Sequence, residues 1–195
     1  MANSNVPREI VEQTRQHAEM IGKLGEAWVA TLAAMVDMIV TSLKSGGKVL
    51  IAGNGGSAAD AQHVAGEFVS RYRRERQALP AIALTTDTSI LTSIGNDYTF
   101  DRVFSRQVEA LGQPGDVLWL FSTSGTSKNI LAAAEMARSR KLHTIGFTGG
   151  DGGLLAKAVE VALVVPEKMT GRIQEGHMLA YHIVCDLVEE AMAGE

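Results

Sequence analysis

The stretch Gly53-Asn54-Gly55-Gly56-Ser57-Ala58-Ala59-Asp60 most constrains what this 195-residue chain can fold into. It follows Lys48-Val49-Leu50-Ile51-Ala52, an apolar run that reads as a buried parallel strand, and it leads into a helix beginning at about Ser57. Three glycines in four positions let the backbone turn sharply and expose its N–H groups. A loop at a helix N-terminus is an anion site, commonly for phosphate. The first-turn N–H groups lack partners there, and the helix dipole favours negative charge. Further along the same helix, His63 and Glu67 stand four residues apart and face the same way. Such a pair suits a metal or proton transfer, and equally an ordinary solvated helix face.

Upstream, the sequence from about Arg8 to Leu43 is helical. Ile21, Leu24, Trp28, Leu32, Met35, Ile39 and Leu43 recur at intervals of three and four, which predicts a long N-terminal helical segment over 8–45. Gly22 and Gly25 can divide it in two. Val29, Ala30, Ala33, Ala34, Val36 and Val40 widen the apolar stripe beyond what a surface helix needs. The segment therefore reads as an oligomerisation helix, with an ordinary core helix as the alternative.

Downstream, strand and helix alternate. Residues 81–84, 116–121, 143–148 and 161–165 read as further strands. Asp87 is expected to cap a helix through Ile94, stopped at Gly95-Asn96-Asp97, and Asp101 to cap another through Leu111. An alanine-rich helix follows from about Ser127 to Ser139, and a last helix runs from about Arg172 to Met192. This pattern predicts one α/β domain over 1–195, a three-layer sandwich around a five-stranded, mainly parallel sheet. Ligands of such sheets bind beyond the carboxyl ends of the strands. The Gly53 loop, Asn96-Asp97 and the Ser122 loop can therefore converge on one rim.

Bulk properties narrow the function classes. A formal net charge of −4 argues against nucleic-acid binding through bulk charge. Hydrophobic residues make up 46% of the chain, enough for a real core, yet no stretch reads as long enough to span a membrane. The N-terminus lacks a basic-then-apolar signal pattern, and Cys185 is the single cysteine. The expectation is a soluble cytoplasmic protein without an intrachain disulfide.

Gly53-x-Gly55-x-x-Ala58 fits a dinucleotide fingerprint, but the candidate ribose-binding acid, Asp87, lies 34 residues after Gly53, against about 20 in the usual unit. No Gly-Lys-Ser/Thr follows, so the loop is not a P-loop. An NAD-binding reading also leaves Ser122-Thr123-Ser124-Gly125-Thr126-Ser127 unexplained. Those hydroxyls, set before a helix, form a neutral cradle for phosphate, although a plain capped turn has the same composition. Arg71 and Arg172 are candidate cations for ligand oxygens.

Taken together, Gly53-Asn54-Gly55-Gly56-Ser57-Ala58, Ile94-Gly95-Asn96-Asp97, Ser122–Ser127 and Arg172-Ile173-Gln174-Glu175-Gly176-His177 resemble the sugar isomerase (SIS) family, and within it the phosphoheptose isomerases. The likeness runs from roughly Gly47 to Glu190. Thr126 departs from it, since many relatives carry Asn there, but the hydroxyl cradle is intact. The resemblance implies an aldose–ketose isomerase acting on sedoheptulose 7-phosphate. It implies sugar-phosphate contacts at Asn54, Gly55, Gly56, Glu67, Asn96, Asp97, Ser122, Thr123, Ser124, Ser127 and Gln174. It also implies a Zn²⁺ site from His63, Glu67, Gln174 and His182, with Glu67 and His182 transferring protons, in a homotetramer whose active sites lie at subunit boundaries. Two imidazoles, a carboxylate and an amide oxygen form a plausible zinc set, though Gln174 and His182 stand about 12 Å apart along an ideal helix. His177 has no assigned role, and His182 alone would read as a core histidine. Non-catalytic members that bind a replication initiator or sense a sugar phosphate are the rival. They typically lack the Glu and His present here.

Overall fold

The computed structural model describes residues 5–193. In chain order the elements are α1 (Val6–Gly22), α2 (Glu26–Lys44), β1 (Val49–Ala52), α3 (Gly56–Val69), β2 (Ala81–Ala83), α4 (Thr88–Asp97), a 3-10 turn (Phe100–Arg102), α5 (Ser105–Leu111), β3 (Val117–Phe121), α6 (Lys128–Ser139), β4 (His143–Gly149), α7 (Leu155–Ala158), β5 (Val161–Val165) and α8 (Thr170–Met192). The five strands form one sheet in the order β2-β1-β3-β4-β5, and every pairing is parallel.

Alternation along the strands makes the three layers. Val49, Ile51, Val117, Trp119 and Phe121 point to one face, where Leu32, Met35 and Ile39 of α2, Val64 and Phe68 of α3, and Tyr181 and Val184 of α8 cover them. Leu50, Ala52, Leu118 and Leu120 point to the other, under α4, α5, α6 and α7. Burying one such large apolar side chain stabilises the fold by about 1.5–3 kcal/mol.

The order 2-1-3-4-5 has its switch point between β1 and β3, because the chain leaves β1 towards one edge and later continues from β3 towards the other. A crevice therefore opens at the carboxyl ends of these two strands. The Gly53 loop leaves one and the Ser122 loop leaves the other.

Three expectations need correction. Gly95-Asn96-Asp97 does not stop α4; the helix includes all three residues and Tyr98 follows as its cap. Asp101 caps no helix, lying instead inside the 3-10 turn, while α5 begins at Ser105 without a side-chain cap. Most consequentially, α2 is long and apolar enough to cross a membrane by length and composition, with a mean hydropathy of 1.4. Leu32, Met35, Ile39 and Leu43 are buried on the sheet, which accounts for one side only. Val29, Ala30, Ala33 and Ala34 stay exposed on the other. Asp87 does cap α4, accepting a hydrogen bond from the Ile90 amide at 2.9 Å.

Candidate active site

Both loops are built as their sequences suggest. Gly55 takes φ +56°, a left-handed conformation costly for any side chain, and hands the backbone directly to α3. Gly56 leaves room for the Gln174 side chain, which lies where a Cβ would stand. In the second loop Ser122 Oγ bonds Ser127 Oγ at 3.0 Å, and Ser124 Oγ accepts from the Thr126 amide at 3.2 Å. The two loops are tied together by Asn129, buried in the first turn of α6. It exchanges side-chain hydrogen bonds with Asn54 at 2.9 and 2.8 Å.

α3 and α8 lie side by side and run the same way. Gly56 meets Gln174 near their N-termini, and two turns on His63 meets Tyr181 and His182. His63 Nε2–H donates to Glu67 Oε1 at 3.0 Å, and the Tyr181 hydroxyl sits 3.0 Å from His63 Nδ1 and 3.5 Å from Asp60 Oδ1. These contacts fix the tautomer of His63. Burial raises the Asp60 pKa to about 6 and pushes the Tyr181 phenol up as well. The rings of His63 and His182 lie 5.0 Å apart. Burial and the neighbouring His63 lower the His182 pKa, with Glu67 acting against them.

The predicted site residues thus fall into two groups. Asn54, Gly55, Gly56, Ser122, Thr123, Ser124, Ser127 and Gln174 belong to the rim of the switch point, whereas His63, Glu67 and His182 cluster farther along α3 and α8. Glu67 stands eleven residues beyond Gly56, about 16 Å along the helix. Asn96 and Asp97 are exposed at the end of α4 and bond each other at 2.8 Å. Arg172 is engaged by Glu175 at 2.7 Å and by Gln13 of α1, and Arg71 by Glu75 at 3.0 Å, so both candidate cations already have protein partners.

The donor types of His63, Glu67 and His182 fit a zinc ion, and His63 neighbours both of the others. Among the described residues, however, no three His, Cys, Asp or Glu side chains converge as a metal group. The Glu67 carboxylate is taken up by His63 and the His182 ring is stacked on Tyr72. Gln174 lies beside Gly56, two turns from His182.

A parallel α/β sheet with two phosphate-type loops at its switch point is a widely used scaffold, and its relatives decide the lineage. Residues 14–149 match the SIS domain family. Phosphoheptose isomerase of Geotalea daltonii is 51% identical over 187 residues, covering 96% of this chain and 97% of that protein. The structure of phosphoheptose isomerase GmhA from Neisseria gonorrhoeae superposes with a TM-score of 0.89 at 42% identity, covering 94% and 99% of the two chains. That of a phosphoheptose isomerase from Francisella tularensis gives 0.91 at 36%, covering 95% and 98%. The chain belongs to the phosphoheptose isomerase family of SIS-domain proteins. Its likeness extends well past the matched SIS segment, through α8, which carries Gln174 and His182.

Sequence reasoning missed Asn129, Tyr181 and the contacts of Tyr72. An asparagine in the first turn of an alanine-rich helix was a visible signal, since Asn is a poor helix former away from the cap. The Tyr181 contact with His63 spans 118 residues and leaves no trace in local pattern. His177 is resolved as structural: fully buried, it bonds the Thr148 carbonyl at 3.1 Å through Nε2–H.

Proposed function

We propose that this chain catalyses the aldose–ketose isomerisation of sedoheptulose 7-phosphate to D-glycero-D-manno-heptose 7-phosphate through an enediol. This is the first step towards a nucleotide-activated heptose, supplied in the cytoplasm to glycans such as lipopolysaccharide. One observation carries the reading. Glu67 and His182, a carboxylate and an imidazole of opposite proton-transfer aptitude, flank His63 in a chain that also keeps both ligand loops.

In this reading the phosphate sits on the hydroxyls of Ser122, Thr123, Ser124 and Ser127 and on the first-turn N–H groups of α6. Asn54, Gly55, Gly56 and Gln174 hold the sugar, with Asn96 and Asp97 at its margin. A proton leaves C1, next to the C2 carbonyl, and the electron pair moves to form the enediol. A proton returns to C2 as the O1 hydroxyl gives up its own to become the aldehyde. Glu67 serves C2 and His182 serves C1. His63, Glu67 and His182 would hold Zn²⁺, which when bound would polarise the carbonyl and stabilise the developing oxyanion. Gln174, two turns from His182 in the same chain, could join that ion only from a neighbouring subunit.

The separation of the two residue groups along α3 supports a site completed across a subunit boundary. The exposed apolar face of α2 supports self-association into a homotetramer.

Incubating the protein with sedoheptulose 7-phosphate and following the aldose by NMR, with and without a chelator, tests the reading. Conversion that the chelator suppresses is expected. No conversion, together with tight binding to a replication initiator, would replace it with the non-catalytic alternative.

A further inference from the structure

His182 is the one histidine of the cluster held without hydrogen bonds. His63 is fixed by Glu67 and Tyr181, and His177 by the Thr148 carbonyl. Among the described residues, no hydrogen bond to a ring nitrogen of His182 occurs, and the side chain is only half-buried. Its orientation rests on three rings. Tyr181 and His63 meet it edge-on, with centroids 4.7 and 5.0 Å away. Tyr72 lies flat against it at 5.6 Å, 28° from parallel. The remaining side opens on a groove of about 360 Å³ lined by His17, Ile21, Glu175, Met178 and Leu179.

Tyr72 does not belong to a helix or strand. It sits in the segment after α3, where Arg71 and Arg73–Arg76 suggest a solvated exit turn. The segment is nevertheless held firmly. Glu189 of α8, 1% exposed, turns its carboxylate onto the backbone. It accepts N–H groups from Tyr72 at 2.8 Å, from Arg73 at 2.9 and 3.1 Å, and from Arg74. One turn earlier, Asp186 takes the guanidinium groups of Arg73 at 3.3 Å and Arg74 at 2.6 Å. Arg76 returns to the carbonyl of Glu67 at 2.8 Å. A buried carboxylate with three successive amide donors is a costly arrangement unless fully satisfied, and here it is satisfied. What this clamp presents to the inside is the face of Tyr72.

We propose that Tyr72, locked by Glu189, is a positioning residue that fixes the imidazole of His182 for proton transfer. The inference rests on the isomerase reading for its catalytic consequence, but the orientation it assigns to His182 stands apart from that reading. A flat face is what the position requires. The phenol hydroxyl is dispensable, so Tyr72→Phe is the conservative replacement and Tyr72→Leu keeps bulk without the face.

The test has two arms. In the first, kcat and KM for sedoheptulose 7-phosphate are measured on zinc-loaded protein. Tyr72→Phe is expected to stay within about twofold of wild type. Tyr72→Leu and Tyr72→Ala are expected to lose kcat by about tenfold or more, with KM within about threefold, because misplacing a catalytic group costs rate rather than binding. Glu189→Gln, which keeps one acceptor oxygen, is expected to fall between them. In the second arm, imidazole resonances of metal-free protein are compared, with His182 assigned by its loss in His182→Gln. The wild-type and Tyr72→Phe signals should share the shift that a stacked ring imposes, and Tyr72→Leu should lose it. Wild-type kcat in Tyr72→Leu, a loss confined to KM, or an unmoved His182 resonance would overturn the proposal. A wild-type protein that does not turn over the substrate would instead remove the isomerase reading, and the resonance comparison would still decide the role of Tyr72.

Discussion

Asn54 and Asn129 form a closed amide pair, each Nδ2 donating to the other's Oδ1, and this pair joins the loop after β1 to the helix after β3. The two loops flank the switch point of the sheet, so the pair sets their spacing. Each partner spends its side-chain amide on the other, so what Asn54 offers a ligand is its backbone N–H, beside those of Gly55 and Gly56. Asn129→Ala would strand the Asn54 amide, and losing such a bond costs about 1–2 kcal/mol. The expected outcome is a KM for sedoheptulose 7-phosphate raised about tenfold with a smaller change in kcat. Steady-state kinetics beside a thermal melt check it. An unchanged KM would show that the loops keep their spacing without the pair.

Glu67 and His182 are assigned the two proton transfers, so Glu67→Gln and His182→Gln should each lower kcat by about a thousandfold or more while fold and assembly persist. Quenched-flow or NMR turnover assays, with circular dichroism on the same samples, are the measurement. Near-normal turnover by Glu67→Gln would withdraw its role.

Zinc removal offers a separate check. Dialysis against a chelator should abolish turnover, and stoichiometric Zn²⁺ should restore it and raise the melting temperature, since a ligand that binds only the folded state stabilises it. Activity that survives exhaustive chelation would count against a metal in the reaction.

The oligomer should depend on the face of α2 that the sheet leaves uncovered. Val29 is 66% exposed, and Ala30, Ala33 and Ala34 continue its surface. Ala33→Glu would set a charge in an apolar contact and is expected to shift the protein to smaller species in light scattering, with loss of turnover if the proposed site is completed across that contact. A dissociated, fully active variant would place the whole site in a single subunit.

Much of this fold was legible because periodicity and punctuation agree. The alternation of Val49–Ala52 and Val117–Phe121 follows from two covered faces, and the Gly53 and Ser122 loops announce themselves by composition. The end of α4 and the start of α5 depart from the local signals for a physical reason: Gly95 and Asp101 are weak punctuators, α4 packs on the 3-10 turn, and Asp101 lies inside that turn. Of the candidate site, sequence located the loops and the His63–Glu67 pair. The over-wide apolar stripe of α2 was also visible in the sequence, and Val29, Ala30, Ala33 and Ala34 are indeed left uncovered. What the sequence did not reveal is that α3 and α8 run in step, which brings Tyr181 to His63 and Glu189 to Tyr72. Contacts between residues more than a hundred positions apart are decided by topology, and no short window contains them.

His177 supplies a stability prediction with a defined sign. It is fully buried, its Nε2–H is committed to the Thr148 carbonyl, and burial lowers its pKa from the usual 6.5 to about 4. In the folded chain it is therefore neutral between these values, whereas the unfolded chain takes up a proton there. The unfolded state binds more protons, so stability is complete above pH 6.5 and falls as the pH drops towards 4, by about 3 kcal/mol at most. Asp60, raised to about 6 by burial, contributes the opposite slope over part of this window, so the wild-type profile alone is ambiguous. His177→Gln keeps an amide donor and removes the titration, while leaving Asp60 in place. The stability difference between wild type and His177→Gln should shrink steadily from pH 6.5 to pH 4, read from denaturant melts at fixed protein concentration. A difference that stays constant across that range would mean that His177 is protonated equally in both states.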